Sequence, residues 1–251
     1  MAYKGSKGTV EFFDDFHENN IATTTAAGVR WLNSSDAGNT AFAVTPALLG
    51  MVAQAATDAT DDDMCEIAHA VLGWSGQNGQ LGMETRVRVS VGAIGSIAFT
   101  VGFNDDALED SNTLPVELAT ATFTSNAASF AGVVFDADAT NQDFHVFWVD
   151  DTVNSSEALA DLRMTASLPV ISRWYVISVV LDDRGTGLGL RGTFTVEDEI
   201  SGLFSQKVFN TSLDRDALLT PHIAFENRAG VAHTFNVDYV KCWMSRPSPI
   251  T

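Results

Sequence analysis

Apolar and polar side chains alternate along most of this chain. In residues 83–91, Arg86 and Arg88 fall on one face and Val87, Val89 and Val91 on the other. A period of two marks a strand with one buried face. Residues 96–103 follow after Gly92-Ala93-Ile94-Gly95, and the two runs read as a hairpin. Residues 132–136 and 144–149 read as a second pair, joined by a polar turn at 138–141. Residues 174–181 and 188–196 read as a third, joined by Asp182-Asp183-Arg184-Gly185-Thr186-Gly187. Further strands are expected at 64–72, 221–225 and 234–244. Helical periodicity is scarce, with room for short helices at 155–164 and 213–219. Residues 17–40, 55–63 and 104–128 read as loops rich in Ala, Thr, Asn and Asp.

Many short strands spaced by turns, with no linker and no internal repeat, predict an all-β chain. The expected architecture is a single antiparallel β-sandwich with at most one or two short helices. It would span 9–245, with a polar N-terminal arm at 1–8 and a C-terminal tail at 246–251. The 251 residues are 45% hydrophobic and 18% charged, enough for a large core without disulfides or metals. Cys65 and Cys242 each sit in a strand-like apolar run and read as buried thiols. No apolar h-region opens the chain and no run spans a bilayer, so neither a signal peptide nor a membrane segment is expected.

Charge narrows the partners. Lys+Arg is 14 against Asp+Glu 32, a net charge of -18. Nucleic-acid binding needs a basic face that displaces counterions, and anionic lipid needs the same, so both are excluded. The acids fall mostly in turns and at strand ends, as a solvated coat. The two lysines of the arm, Lys4 and Lys7, are half of the four in the chain and become candidate partner contacts.

Candidate chemistries thin out quickly. A glycosidase needs two carboxyls placed across a sugar. The nearest clusters, Glu197-Asp198-Glu199 and Asp150-Asp151, read as solvated strand ends. Gly73-Trp74-Ser75-Gly76 lacks the spacing of a nucleophile elbow. Gly187-Leu188-Gly189-Leu190-Arg191-Gly192 matches a phosphate-loop string, but β residues follow it where a helix would be needed. His69 and His145 lie inside strands and read as hydrogen-bonded sandwich residues. One site pattern remains: Asp136, Asp138 and Asn141 place oxygen ligands in a loop, as Ca²⁺ prefers, without the EF-hand's Gly and terminal Glu. Among the five Trp, Trp148 and Trp243 read as core. Trp31 and Trp74 stand nearer to loops and are candidates for exposed contact with a partner or a sugar ring.

Two segments carry a resemblance. Residues 10–16 read V-E-F-F-D-D-F and residues 235–243 read F-N-V-D-Y-V-K-C-W. Together they resemble the concanavalin A-like jelly rolls, in which first and last strands lie side by side. The order of 85–89, 98–103 and 131–136 is similar to jelly-roll structural proteins of tailed, especially marine, bacteriophages. The catalytic E-x-D-x-x-E string of the family 16 glucanases is missing, and the legume lectin metal motif is not recognisable. The resemblance therefore implies a non-enzymatic virion protein on the capsid surface. It would be a decoration or cement protein bound to the major capsid protein, made in the host cytoplasm without a signal peptide. It also implies a homo-oligomer, with a trimer expected. The alternative is a glycan-binding jelly-roll module on a tail or surface, and a divergent glycosidase is a distant third. No cofactor is expected beyond the candidate Ca²⁺.

Overall fold

A computed structural model describes residues 8–24, 28–47, 50–109, 113–165 and 168–246. Two antiparallel sheets face each other. The first runs β17 (Phe204–Asn210), β16 (Leu190–Asp198), β15 (Tyr175–Asp183), β7 (Gln80–Val91), β19 (Thr234–Ser245), β5 (Gly50–Ala56) and β4 (Thr40–Ala47). Beside β19 also lies β1 (Thr9–Asp14), antiparallel from Thr9 against Ser245 to Asp14 against Val240. First and last strands are thus neighbours, as the resemblance implied. The second sheet runs β13 (Val153–Asn154), β12 (Phe144–Asp150), β11 (Phe130–Asp136), β8 (Ile97–Asn104), β18 (Thr220–Asn227), β6 (Met64–His69), β3 (Trp31–Ser35) and β2 (Ile21–Ala22). A short β14 (Arg163–Met164) pairs with β12. A separate hairpin, β9 (Val116–Ala119) and β10 (Thr122–Ser125), completes the strands.

The expected pairs β11–β12 and β15–β16 form as read. The expected hairpin at 83–103 does not. β7 pairs with β15 and β19 in the first sheet, whereas β8 pairs with β11 and β18 in the second. A 3₁₀ turn at Ile94–Ser96 carries the chain across the sandwich. Of the two expected helices, one turn forms at α1 (Leu159–Leu162), and none forms at 213–219. The loops at 17–40 and 104–128 contain β3 and the β9–β10 hairpin.

Between the sheets, alternate side chains interdigitate. Phe99 lies within 5.3–5.8 Å of Phe135, Phe144 and Phe235, and Phe225 stacks on Phe235 at 5.1 Å. Cys65 and Cys242 are free and buried in this core. Gly102 and Gly132 face each other across β8 and β11, and a Cβ at either position would meet the opposing backbone at 2.3–2.6 Å.

The second sheet is buried on both faces at β6, β8, β11 and β18. Its outer face is covered by β9–β10 and the segments flanking them. Leu114 packs on Met64, Ala98 and Ala224. Phe123 stacks flat on Phe147 at 3.9 Å, and Asp136 accepts a hydrogen bond from the Leu118 backbone.

Candidate functional site

Because that cover closes the outer face of the second sheet, the polar groups beneath it form a sealed network. Glu66 and His222 are wholly buried and bonded at 2.9 Å. The same Glu66 oxygen accepts the Glu109 amide at 3.0 Å, and Asn104 donates to Glu109 at 2.6 Å. Burial pushes the Glu109 pKa above the ordinary carboxylate value. Further along, Arg228 is held by Asp136, Glu226 and, at 3.6 Å, Asp62. Burial raises the Glu226 pKa to about 8. These carboxylates fasten the cover to the sheet.

That clamp decides the fate of the candidate Ca²⁺ loop. Asp136 is buried at the end of β11, and its two oxygens accept from Arg228, the Leu118 amide and the Asp138 amide at 2.9–3.1 Å. Protein donors fill the positions a cation would take. Asp138 is exposed and Asn141 half-buried. Among the described residues, no group of three or more His, Cys, Asp or Glu is placed to hold a metal.

Trp31 and Trp74 depart from expectation. Both are buried, at 1% and 4% exposure. The reason is an aromatic cluster at one end of the sandwich. His69 meets Phe12 at 4.9 Å, and Trp31 and Trp74 at 5.8 Å each, all edge-on. Trp31 donates its Nε1 hydrogen to Asp14 at 3.1 Å, so its polar atom is satisfied inside the core. Trp74 exchanges backbone hydrogen bonds with Leu219, which fixes the 70–76 loop over the end of β6. Lys4 and Lys7 lie outside the described residues. The remaining expectations divide: Trp148 is buried, whereas Trp243 is half-buried, lying over Gly82 and donating to Gln80 at 2.7 Å. Trp174 is half-buried between Arg86 and Arg88, each 4.3 Å from its ring. Asp198, read as a solvated strand end, is buried. It accepts from Arg173, Ser201 and Ile200, which hold its pKa down at about 2 against the opposing cost of burial.

The cluster borders a groove of about 310 Å³. Val10 of β1, Met244 of β19, the exposed Val71 with Gly73, and Arg246 line it together with His69 and Trp74. The register of β1 on β19 puts Val10 opposite Met244, and the Arg246 amide donates to Gly8 at 2.9 Å. His69 Nδ1 lies near two donors, the Val71 amide at 3.3 Å and Trp74 Nε1 at 3.5 Å, and near one acceptor, the Val71 carbonyl at 3.5 Å. With its proton on Nε2 the ring accepts from both N–H groups. Burial lowers the His69 pKa below 6.5, which favours the neutral ring. The groove thus offers an apolar wall, a fixed imidazole and a guanidinium. Sequence reasoning found Trp74 but not Val10, Val71, Met244 or Arg246, which are scattered along the chain.

No family model and no curated protein matches this chain. Solved structures share its fold. A protein of unknown function from Shewanella oneidensis MR-1 superposes with a TM-score of 0.59 at 10% identity, covering 98% of this chain and 90% of its own. Peanut lectin, solved with a 9mer peptide, gives 0.55 at 12%, covering 95% and 97%. The exoplasmic/lumenal domain of VIP36 in its Ca²⁺/Man3GlcNAc-bound form gives 0.52 at 9%, covering 92% and 89%. At such identities the likeness establishes the architecture alone: a lectin-like, concanavalin A-like jelly roll.

Proposed function

We propose that the chain is a glycan-binding jelly-roll module that takes a sugar in the groove beside Trp74. The groove carries this reading. Its volume of about 310 Å³ falls within the size of small-molecule sites. Its wall of exposed Val71 and half-buried Met244, backed by the buried Val10 and Trp74, suits the C–H face of a pyranose, and Arg246 supplies up to five donors for hydroxyl or carboxylate oxygens. The lectin-like neighbours support the same reading, since VIP36 is solved with an oligosaccharide bound. In this reading the module binds without turnover. Glycoside hydrolysis needs two carboxyl groups about 5–9.5 Å apart across the sugar, and among the described residues no carboxylate lines the groove.

The capsid-decoration reading takes second place. Its docking arm depends on Lys4 and Lys7, which lie outside the described residues, and the structural neighbours point to lectins instead.

A glycan array probed with the full chain tests the proposal, with hits followed by titration calorimetry. Arg246→Ala and Val71→Asp alter exposed positions and should each weaken a genuine hit at least several-fold. An array without hits, or hits whose affinity neither variant changes, overturns it.

A further inference from the structure

The turn that feeds β7 carries a reactive step. Thirteen asparagines are spread along the chain, and only Asn78 precedes a glycine. An asparagine side chain is open to attack by the backbone nitrogen of the next residue. The attack closes a five-membered ring, and a Cβ on that next residue crowds it. Glycine has none and reaches backbone angles that other residues avoid. Gly79 uses that freedom, with φ at +136°.

The turn leaves this pair accessible. Gln77, Asn78 and Gly79 are all exposed. The attacking nitrogen is engaged by a backbone bond from Gly79 to the Gly76 carbonyl at 3.2 Å, the long end of the ordinary range. Buried asparagines elsewhere spend their side-chain amides on structure. Asn33 donates to the Phe42 carbonyl, Asn104 to Glu109, and Asn227 to the Asp58 and Thr60 carbonyls. Each of these is followed by a residue with a Cβ, namely Ser34, Asp105 and Arg228.

The same turn is tied to its surroundings through its carbonyls. Gly79 accepts the Asp183 amide at 2.6 Å, and Gln77 accepts from Arg215. Arg215 is itself paired with Asp183. A Cβ on Gly79 would meet Ser245 Oγ at 2.8 Å, so the turn is closely fitted against the end of β19. From here β7 runs on between β15 and β19.

We propose that Asn78 is a site of spontaneous modification, an amide that the folded chain converts to aspartate and isoaspartate, and that the isoaspartate frees the turn from Asp183. The Gly79 nitrogen bonds to Asn78 Cγ, the Cγ–Nδ2 bond breaks, and the Gly79 amide hydrogen leaves with Nδ2 as ammonia. The product is a succinimide. Water then opens the ring, and it is the only co-reactant. Opening at the Cγ carbonyl gives aspartate. Opening at the main-chain carbonyl gives isoaspartate, whose main chain runs through Cβ and Cγ and is one carbon longer. Either product adds a carboxylate next to Gln77, where Arg215 is held, in a molecule already at net charge -18. The longer main chain of the isoaspartate moves the Gly79 carbonyl away from the Asp183 amide.

Incubation of the folded full chain at neutral and alkaline pH tests this, read by peptide mapping and by methyl transfer from an isoaspartyl methyltransferase. A mass gain of about one dalton should appear first in the peptide that holds residues 78 and 79. It should accumulate there at least several-fold faster than at any other asparagine, and faster at alkaline pH, because the attacking nitrogen must lose its hydrogen. Asn78→Ser, a change at an exposed position, should remove most methyl acceptance by the intact chain. In the isoaspartyl form, isolated chromatographically, hydrogen exchange at the Asp183 amide should be at least several-fold faster than in the parent. Asn78→Asp adds the charge without the extra main-chain carbon and should leave that exchange unchanged. An Asn78 that stays intact in the folded chain overturns the proposal, as does conversion that begins at another asparagine. So does an Asp183 amide that exchanges in the isoaspartyl form as it does in the parent.

Discussion

Arg228 grips both carboxylate oxygens of Asp136, Nε to Oδ1 at 3.1 Å and Nη2 to Oδ2 at 2.9 Å, with both side chains almost wholly buried. The same carboxylate accepts the Leu118 amide, so one residue ties β11, β18's end and the β9 cover together. Breaking one partner of a buried pair leaves the other charge stranded, which costs about 3–5 kcal/mol. Asp136→Ala should lower stability by that order in urea unfolding. Asp138→Ala, at an exposed position two residues on, should change it by less than about 0.5 kcal/mol. Equal effects of the two would show that the clamp does not bear on stability.

The clamp also predicts how the chain behaves toward calcium. With Asp136's lone pairs given to protein donors, a cation at the 136–141 loop would have to displace Arg228. Calorimetric titration with Ca²⁺ should give no binding heat at this loop, and EDTA should leave glycan affinity in the groove unchanged. A heat that disappears in Asp138→Ala would reinstate the loop as a site.

Legibility followed distance along the chain. β11–β12 and β15–β16 were readable because a short polar turn joins two alternating runs in each. The link 92–96 looks much the same, yet it crosses between sheets. Alternation reveals which face is apolar, not which sheet receives the strand. Glu66 carried a local signal that went unused: one carboxylate within the otherwise apolar Met64–Ala68 run, and hence a buried partnered acid. Trp31 and Trp74 misled because burial depends on neighbours such as Phe12 and His69, brought in from other strands. The groove had no local signal, since Val10, His69–Trp74 and Met244–Arg246 meet only when β1 docks on β19.

Glu226 gives a pH dependence of unusual sign. Burial raises its pKa from 4.5 to about 8, so the folded chain keeps a proton that the unfolded chain has already lost. Its contribution is fully present below about pH 4.5 and is lost as pH rises toward 8, at up to about 1.4 kcal/mol per pH unit. The folded-state pKa values of the buried His69, His145 and His233 are all lowered from 6.5, so above pH 7 they add little slope. Between pH 7 and about 8 the urea midpoint should therefore fall, and Glu226→Gln should flatten that fall. An unchanged slope in the variant would assign it to another group.

His69 makes the groove acid-sensitive through the opposite sign. Its folded pKa lies below 6.5, so the unfolded chain binds the proton first and stability is lost as pH falls through that window. Locally, a proton on Nδ1 would end its acceptor contacts with the Val71 amide and the Trp74 indole, leaving the Val71 carbonyl at 3.5 Å to receive that N–H. The loop at 70–76 should loosen before the core does, because its backbone is held to the sandwich at two points, Ala70 on Arg30 and Trp74 on Leu219. Hydrogen exchange at the Trp74 indole should accelerate on acidification relative to Trp31, whose Nε1 hydrogen is bonded to Asp14. Sugar affinity should decline over the same range. In His69→Gln the side chain can still accept a hydrogen bond but cannot titrate. That variant should retain binding at neutral pH and lose the acid response. If the Trp74 indole keeps its protection through the His69 titration in the parent chain, the imidazole does not hold the groove's wall.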